Sequence, residues 1–307
     1  MRGLTFKQLE ALRAIARQGT VTGAAGAVGI TPSAMTTRLK ELEMIAGFAL
    51  FDRTASGFQL NHAGAVILRM ANQIQVAMDL AQGTLAELKG VTAGALAVGI
   101  TSTAKYFAPR LIADFSHRYP GVDISLTVGN RQETIDALTG MTIDVAIMGR
   151  PPPRLDLIAE PFGDHPLIVI GPPDHPFAGR AGLLQSDIVA ERFLMREEGS
   201  GTRTVFEEVF PGARNHQGHF LIEIGSNETI KQGVMAGLGL ALLSAHTVAF
   251  EVEMGRLAVL DVAGFPILRK WFVAYHPDKA ILPAMKAFWD FTLAEGESHL
   301  PVTRLPA

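Results

Sequence analysis

The sequence contains no cysteine, which excludes disulfide bonds and thiolate chemistry. It also contains no uninterrupted apolar run of about 18 residues, the length that a membrane-spanning helix requires. Residues 1–29 show no basic segment followed by an apolar run, so no signal peptide is predicted. These absences predict a cytoplasmic protein with no membrane partner.

Charge is scarce as well, because only 19% of the residues are charged while 48% are hydrophobic, as in a well-packed globular protein. The net charge of −3 is unevenly spread. Residues 1–90 contain 9 basic and 6 acidic residues, and the remainder contains 18 basic and 24 acidic ones. This asymmetry is compatible with an N-terminal segment that binds nucleic acid, and 307 residues suffice for two domains.

Three short helices are predicted near the N-terminus. Residues 5–8 (TFKQ) match a capping box, and Gly19 ends the helix that follows. Thr22 is the candidate cap of a second helix, which consists of small residues. Thr31 and Pro32 then match the cap and the first position of a third helix, because the missing N–H of proline costs nothing there.

The third helix predicts a DNA-recognition surface. Its apolar residues form one stripe, which leaves a small polar face without carboxylates that fits the major groove. Residues 50–60 predict a β-hairpin wing with its turn at Ser56 and Gly57, and Arg53 on this wing is placed to enter the minor groove. Any three-helix unit also has a polar outer face, so the face alone does not decide. The predicted DNA-binding residues are Thr31, Pro32, Ser33, Thr36, Thr37, Arg38, Lys40 and Arg53.

Residues 62–89 predict one long helix, since they contain no proline and their apolar residues recur every three or four positions. Such a helix would extend about 40 Å, so its apolar seam needs a partner. A second copy of the chain is one candidate partner, and the chain's own C-terminal domain is the other. The residues predicted to mediate dimerisation are Ile67, Met70, Ile74, Ala81 and Leu85.

The C-terminal two-thirds predict an α/β fold, because strand-like runs alternate there with helical ones. The predicted strands span residues 95–100, 122–128, 143–148, 167–170, 220–224, 238–243 and 271–275, and the predicted helices span residues 106–118, 131–138, 202–209, 226–236 and 282–294. Crossing connections near residues 150–159 and 258–264 would separate lobe I (91–161 and 267–307) from lobe II (162–266). A ligand cleft is expected between the two lobes.

Three turns rich in hydroxyl groups or glycine lie where a predicted strand gives way to a helix, at residues 101–103, 199–203 and 225–227. Helix N-termini bind anions through their free N–H groups, and basic side chains add counter-charge. The turns therefore predict a site for a small anionic effector, without a cofactor or a metal. The alternative is that these side chains are only helix caps. The predicted effector-binding residues are Thr101, Ser102, Thr103, Lys105, Asn130, Arg150, Arg154, Ser200, Thr202, Arg203 and Asn227.

Residues 4–64 resemble the winged helix-turn-helix of LysR-type transcriptional regulators throughout. The resemblance implies a DNA-binding domain at residues 1–60, a dimerising linker helix at 61–90 and a bilobed effector domain at 91–307 that is similar to periplasmic binding proteins. It also implies a double-stranded DNA operator and a homodimer or homotetramer. The family usually has Gln-Pro where this chain has Pro32 and Ser33, and often Ser-Arg where it has Thr36 and Thr37. The resemblance therefore implies base contact at these positions, but not with the family's usual side chains.

Three segments of the effector domain resemble a narrower subgroup of the family. They are IDVAIMGRPP at residues 143–152, REEGSGTR at 196–203 and GSNETIKQGVMAGLGLALLS at 225–244. The subgroup, known as CbbR, regulates Calvin-cycle carbon-fixation operons. This resemblance implies an effector that is a phosphorylated sugar or a related metabolite.

An enzyme and a transporter's solute-binding protein are the alternatives from other classes. Asp-His-Pro occurs at residues 164–166 and 174–176, but histidine followed by proline predicts a turn rather than a metal site. Residues 199–201 (GSG) lack the spacing of a nucleophile elbow, and residues 237–239 (GLG) end a predicted helix rather than open one. A solute-binding protein would share the cleft, but the helix-turn-helix and the missing signal peptide oppose it.

Overall fold

The computed structural model describes residues 3–54, 57–87, 93–211 and 221–303. The chain divides into two compact units, Met1–Gln82 and Gly83–Ala307. Among the described residues, no helix combines the length and the apolar character needed to cross a bilayer.

The N-terminal unit is a winged helix-turn-helix followed by a long helix. Its elements are α1 (Phe6–Gln18), α2 (Val21–Val28), α3 (Pro32–Ala46), β1 (Phe51–Thr54), β2 (Gly57–Leu60) and α4 (His62–Glu87). The core that holds α1 against α3 is aliphatic and centres on Leu12, Met35 and Leu42, which are fully buried. The strands β1 and β2 pair antiparallel and form the predicted wing.

Backbone capping explains where these helices begin. Thr5 N donates to Gln8 Oε1 at 2.9 Å, as the capping-box pattern predicts. Thr31 Oγ1 accepts from Ala34 N at 3.3 Å and caps α3, with Pro32 at its first position. The prediction for α2 is wrong, because Thr20 and not Thr22 is its cap. Thr20 Oγ1 accepts from Gly23 N at 3.1 Å, so Thr22 already lies inside the helix.

The first half of α4 packs against its own helix-turn-helix. Ile67 is buried in the core of the N-terminal unit, and Met70 and Ile74 pack onto that core. Ile67 is therefore enclosed within its own chain, whereas Met70 and Ile74 are only partly buried, and the dimer seam stays a prediction. Ala81 and Leu85, further along the helix, are exposed.

The second unit is an α/β domain. Its strands are β3 (Ala93–Thr101), β4 (Gly121–Gly129), β5 (Val145–Gly149), β6 (Ile158–Gly171), β7 (Phe193–Arg196), β8 (Leu221–Ile224), β9 (Ala241–Ser244), β10 (Ala258–Val259) and β11 (Ile267–Tyr275). Its α-helices are α5 (Ala108–Arg118), α6 (Arg131–Thr139), α7 (Gln185–Ile188), α8 (Gly201–Val209), α9 (Asn227–Met235), α10 (Ala245–Glu253) and α11 (Pro283–Glu295). Short 3-10 turns lie at Ala104–Tyr106 and Gly296–His299.

The main sheet has the strand order β10-β6-β11-β5-β3-β4, and β9 also pairs with β6. The strands β4, β3 and β5 run parallel, whereas β6 and β11 are antiparallel to each other. A separate parallel pair, β7 and β8, belongs to the second lobe. Each lobe has its own core, one around Phe107 and Phe115 and the other around Phe193 and Leu240. The domain is therefore bilobed, as predicted.

The connection between the lobes differs from the prediction. It runs through the long strands β6 and β11, which pair from Ile267 opposite Leu167 to Tyr275 opposite Ile158, and not through residues 150–159 and 258–264. Because β6 is 14 residues long, one strand serves both lobes. The Asp-His-Pro segment at residues 164–166 consequently lies inside β6, so the turn predicted there is wrong. The second such segment, at residues 174–176, does lie in a turn.

Candidate functional site

A cleft of about 660 Å³ lies between the two lobes of the α/β domain. The carboxyl ends of β3 and β5 and the start of α6 line it from one lobe, and the start of α8 lines it from the other. Residues of β6 and β11, together with Thr101 at the end of β3, form what we call the floor. Seven predicted effector residues line the cleft: Thr101, Ser102, Thr103, Asn130, Arg150, Ser200 and Thr202.

Four predicted effector residues lie outside the cleft lining. Arg203 forms ion pairs with Glu207 at 3.0 Å and Glu223 at 2.6 Å, so its charge is already balanced. Arg154 is exposed. Of the remaining two, Lys105 contacts Glu228 of the other lobe, and Asn227 accepts a hydrogen bond from Arg196 of its own lobe.

Lys105 bridges the lobes through Glu228 at the start of α9. Lys105 Nζ and Tyr106 Oη each donate to this carboxylate at 2.6 Å. Burial alone would raise the pKa of the Glu228 carboxyl, but the hydrogen bonds from Lys105 and Tyr106 outweigh burial and hold that pKa at about 2. Lys105 is therefore engaged in holding the lobes together.

Arg196, which the sequence analysis did not select, is the most enclosed cation of the cleft, with only 3% of its surface exposed. Its guanidinium donates to Glu197 at 2.7 Å and to Asn227 Oδ1 at 2.5 Å, both in its own lobe. It also donates to Ser102 Oγ of the other lobe at 3.1 Å. Arg196 thus ties the two walls of the cleft together. The position of Arg196 at the start of REEGSGTR, directly before the glycine-rich turn, is the feature of the sequence that could have indicated it.

Arg131, which was also missed, is the first residue of α6 and lines the cleft. No carboxylate among the described residues lies within ion-pair distance of its guanidinium, which donates only to Arg150 O at 3.2 Å. Burial, together with the charges of Arg154 and Arg269, lowers the pKa of the Arg131 guanidinium. A guanidinium remains protonated despite such a shift, so Arg131 presents an uncompensated positive charge to the cleft.

Three other basic side chains of the cleft have acidic partners. Arg269 pairs with Glu208 at 2.8 Å, Lys270 pairs with Asp164 at 2.5 Å, and Arg196 pairs with Glu197 at 2.7 Å. Arg131, which is partly buried, and Arg150, which is exposed, are the arginines of the lining without an ion pair among the described residues.

The starts of α6 and α8 meet beside Arg131. Gln132 N donates to Gly199 O at 3.1 Å across the lobes. A Cβ atom on Gly201 would lie 2.9 Å from Cδ of Arg131, so glycine is what lets the arginine lie along the first turn of α8. The N–H groups of that turn and the guanidinium face the same space, which suits an anion.

The imidazole of His165, on the floor of the cleft, belongs to an aromatic cluster at the junction of the lobes. The ring of His165 stacks on Trp271 with 3.9 Å between centroids, and Trp271 Nε1 donates to His246 Nδ1 at 3.0 Å. Burial, with smaller contributions from His246 and Arg269, lowers the pKa of His165 to about 3. Burial likewise lowers the pKa of His246 to about 4. Both imidazoles are therefore neutral at neutral pH.

The predicted DNA-recognition face lies on the surface of α3. Exposed residues of the predicted set are Thr31, Pro32, Ser33, Thr37 and Lys40. Thr36 and Arg38 are partly buried, and Arg38 pairs with Glu10 of α1 at 3.4 Å. The hydroxyls of Thr36 and Thr37 donate to backbone carbonyls one turn earlier, at 2.9 and 3.0 Å. The side chain of Arg53 and the predicted turn residue Ser56 lie outside the described part of the structure.

Two family models together match nearly the whole chain. Residues 6–65 match the bacterial regulatory helix-turn-helix protein of the lysR family, and residues 89–297 match the LysR substrate binding domain. The chain belongs to the LysR family of transcriptional regulators. The LysR family consists of regulators and not enzymes, so the enzyme alternative is excluded.

Relatives of this LysR-type regulator include regulators named CbbR. The transcriptional regulator CbbR of Rhizobium meliloti (strain 1021) is 45% identical over 307 residues, which is 100% of this chain and 98% of that protein. The regulatory domain of Synechocystis PCC6803 CcmR, solved in complex with 2-PG, is 38% identical with a TM-score of 0.62, covering 66% of this chain and 96% of that one. Full-length OxyR from Pseudomonas aeruginosa shares the fold over 100% of both chains, with 23% identity and a TM-score of 0.72.

Proposed function

We propose that this regulator binds operator DNA through α3 and the wing, and that a small phosphorylated metabolite held in the cleft changes how it binds. The observation that carries this proposal is Arg131, a partly buried cation of the cleft without a carboxylate partner among the described residues, beside the first turn of α8. A phosphate group would supply the missing negative charge and accept hydrogen bonds from the guanidinium and the helix N–H groups.

The size of the cleft and the relatives narrow the effector further. A volume of about 660 Å³ is ordinary for a site that encloses a metabolite. The similarity to CbbR and the 2-PG complex of the CcmR regulatory domain support a phosphorylated compound. We infer that the effector is a phosphorylated sugar of the Calvin cycle or a related metabolite, and that the target genes belong to carbon fixation.

For DNA binding, the exposed face of α3 is assigned to the major groove. Ser33 and Thr37 would contact base edges or phosphates through their hydroxyl groups, and Lys40 would contact the backbone. We assign Arg53 on the wing to the minor groove. Because its target is operator DNA, the protein acts in the cytoplasm.

We propose a homodimer, or a homotetramer built from dimers, joined through the second half of α4. The first half of this helix packs against its own domain, whereas Ala81 and Leu85 of the predicted seam are exposed and free to pair with a second chain. Two chains would place their α3 helices in successive major grooves.

An effector can act only by binding one arrangement of the lobes more tightly than another. The contacts that join the lobes at the cleft include Arg196 to Ser102 and Gln132 to Gly199. An anion at Arg131 would lie beside both contacts and would shift their balance. We therefore expect the effector to change DNA bending or the length of the footprint more than DNA affinity.

Isothermal titration calorimetry of the full-length protein with ribulose 1,5-bisphosphate and with inorganic phosphate tests this proposal. The substitution Arg131→Gln removes the charge while retaining a polar side chain. We expect it to weaken binding of ribulose 1,5-bisphosphate by at least about tenfold. The control is Arg110→Gln on the exposed surface of α5, which should leave the affinity unchanged. Equal affinity in the Arg131 variant, or no binding of either anion to the unaltered protein, would overturn the proposal.

A further inference from the structure

The floor of the cleft holds two polar atoms that lack hydrogen-bond partners in the described part of the chain. They are Thr101 Oγ1, at the end of β3, and His165 Nε2, in the middle of β6. Both residues line the cleft, and both are more than nine-tenths buried. Folded proteins rarely leave buried polar atoms without partners, and exceptions at a binding site point to a ligand group that completes them.

Neighbouring polar groups of the cleft are satisfied within the protein. Ser102 Oγ accepts from Arg196 at 3.1 Å, and Asn130 Oδ1 accepts from Glu133 N at 3.0 Å. Among the described residues that line the cleft, Thr101 Oγ1 and His165 Nε2 are the two buried side-chain atoms without a partner. Four further such atoms lie outside the lining, on Asn227, Ser244, Thr247 and Thr292.

The surroundings of His165 decide what kind of group it accepts. Its ring stacks on Trp271, with the ring centre of His246 6.2 Å away and Arg269 opposite it on β11. Arg269 is paired with Glu208, and the adjacent Asp164 is paired with Lys270. Burial keeps the His165 imidazole neutral. A phosphate or carboxylate placed there would lose its hydration without gaining a counter-charge.

We propose that His165, together with Thr101, recognises an uncharged hydroxyl group of the effector and so determines which anions the cleft accepts. A hydroxyl both donates and accepts, so it matches a neutral imidazole in either tautomer as well as the threonine hydroxyl. This inference rests on the proposed function, in which Arg131 holds the anionic end. The effector class is then a hydroxylated phosphate ester rather than a simple anion.

Two probes of equal chain length test the proposal in the full-length protein by calorimetry. Glycerol 3-phosphate and n-propyl phosphate share a phosphate and three carbons and differ only in hydroxyl groups. We expect the unaltered protein to bind glycerol 3-phosphate about tenfold more tightly. His165→Phe should reduce this preference below about threefold, while the affinity for n-propyl phosphate stays nearly constant.

Thr101→Val is the second variant, because it removes the hydroxyl at nearly constant volume and carries the test if His165→Phe no longer binds operator DNA. It should reduce the same preference. The matched control is Arg131→Gln, which should weaken both probes by the same factor and leave their ratio unchanged.

The outcomes separate the two proposals. Equal binding of the two probes by the unaltered protein, or a preference that survives in both floor variants, overturns the role of His165 and leaves the anion site standing. In that case a bound water completes the free atoms. No binding of either probe or of ribulose 1,5-bisphosphate overturns the proposed function and this inference with it.

Discussion

Trp271 donates its indole N–H to Nδ1 of His246 at 3.0 Å, and this bond joins the core of one lobe to α10 of the other. The acceptor nitrogen must be unprotonated. His165 is stacked on a face of the same indole, and its lowered pKa keeps it neutral at neutral pH as well. The junction of the lobes therefore contains two histidines whose neutral forms are favoured in the folded state.

Acidification should consequently destabilise the effector domain. The pKa of His246 falls from 6.5 in the unfolded chain to about 4 in the folded one, so below pH 6.5 the unfolded state binds more protons. Stability is complete above pH 6.5 and is lost as the pH falls towards 4. Each histidine contributes a slope of about 1.4 kcal/mol per pH unit in this window. Urea denaturation at pH 7.5 and pH 5 measures the loss.

Tryptophan fluorescence makes that measurement specific, because both tryptophans of the chain, Trp271 and Trp289, lie in the effector domain. His246→Gln keeps an acceptor for Trp271 but does not titrate, so it should reduce the slope by about half. His117→Gln, on the exposed surface of α5, is the control and should leave the slope unchanged. A free energy of unfolding that is constant from pH 5 to 7.5 would contradict this account.

A buried ion pair within lobe II provides a second prediction. Lys231 is only 6% exposed, and its Nζ lies 2.7 Å from Glu251 and 4.6 Å from the ring centre of Tyr106. Glu251→Ala would leave this ammonium buried without its carboxylate, at a cost of about 3 kcal/mol. Asp290→Ala breaks an exposed pair with Lys286 and should cost less than about 1 kcal/mol. Equal losses in the two variants would show that burial of Lys231 does not matter.

Operator binding should depend on Lys40 through charge alone. Lys40 is exposed on α3 and has no ion-pair partner among the described residues. If it contacts one phosphate, Lys40→Ala should weaken binding to all sequences alike and reduce the salt slope by about 1. Fluorescence anisotropy at several salt concentrations measures this slope, with Lys286→Ala of the effector domain as the control. A sequence-specific loss with an unchanged slope would instead assign Lys40 to a base.

Self-association should depend on the second half of α4. Leu85 is 59% exposed, and a chain that pairs through this helix would bury it. Leu85→Asp should therefore weaken the dimer by at least about tenfold, because it places a charge in the seam. Leu184 is exposed to a similar extent, 57%, but it lies in the α/β domain. Leu184→Asp should therefore leave association unchanged. Sedimentation at several protein concentrations distinguishes the two, and an intact Leu85→Asp dimer would rule out this seam.

The sequence predicts local structure well where the signal is itself local. Two helix starts are predicted from local patterns, one by Thr31 with Pro32 and the other by the capping box at residues 5–8, and both are observed. Thr22 failed as a cap because Thr20 stands two residues earlier and reaches Gly23 N first. N-cap preferences rank two neighbouring threonines equally, so only the course of the backbone decides which of them caps the helix.

Features that depend on distant pairing were not predicted. Residues 158–171 form one strand because β11 pairs along them, and no local pattern sets that length. The same limit applies to the site. Arg131 and Arg203 are both near glycine or asparagine turns in the sequence, but only docking of the lobes turns the first into the cleft and leaves the second paired with Glu207 and Glu223.

The measurement that tests the central claim most directly is a DNase I footprint on the DNA upstream of the gene, with and without ribulose 1,5-bisphosphate, for the unaltered protein and for Arg131→Gln. The account predicts that the effector shortens or shifts the footprint of the unaltered protein, whereas the variant protects the same operator but does not respond. An identical response in the variant, or a footprint of the unaltered protein that no phosphorylated metabolite changes, would contradict an anion-controlled regulator.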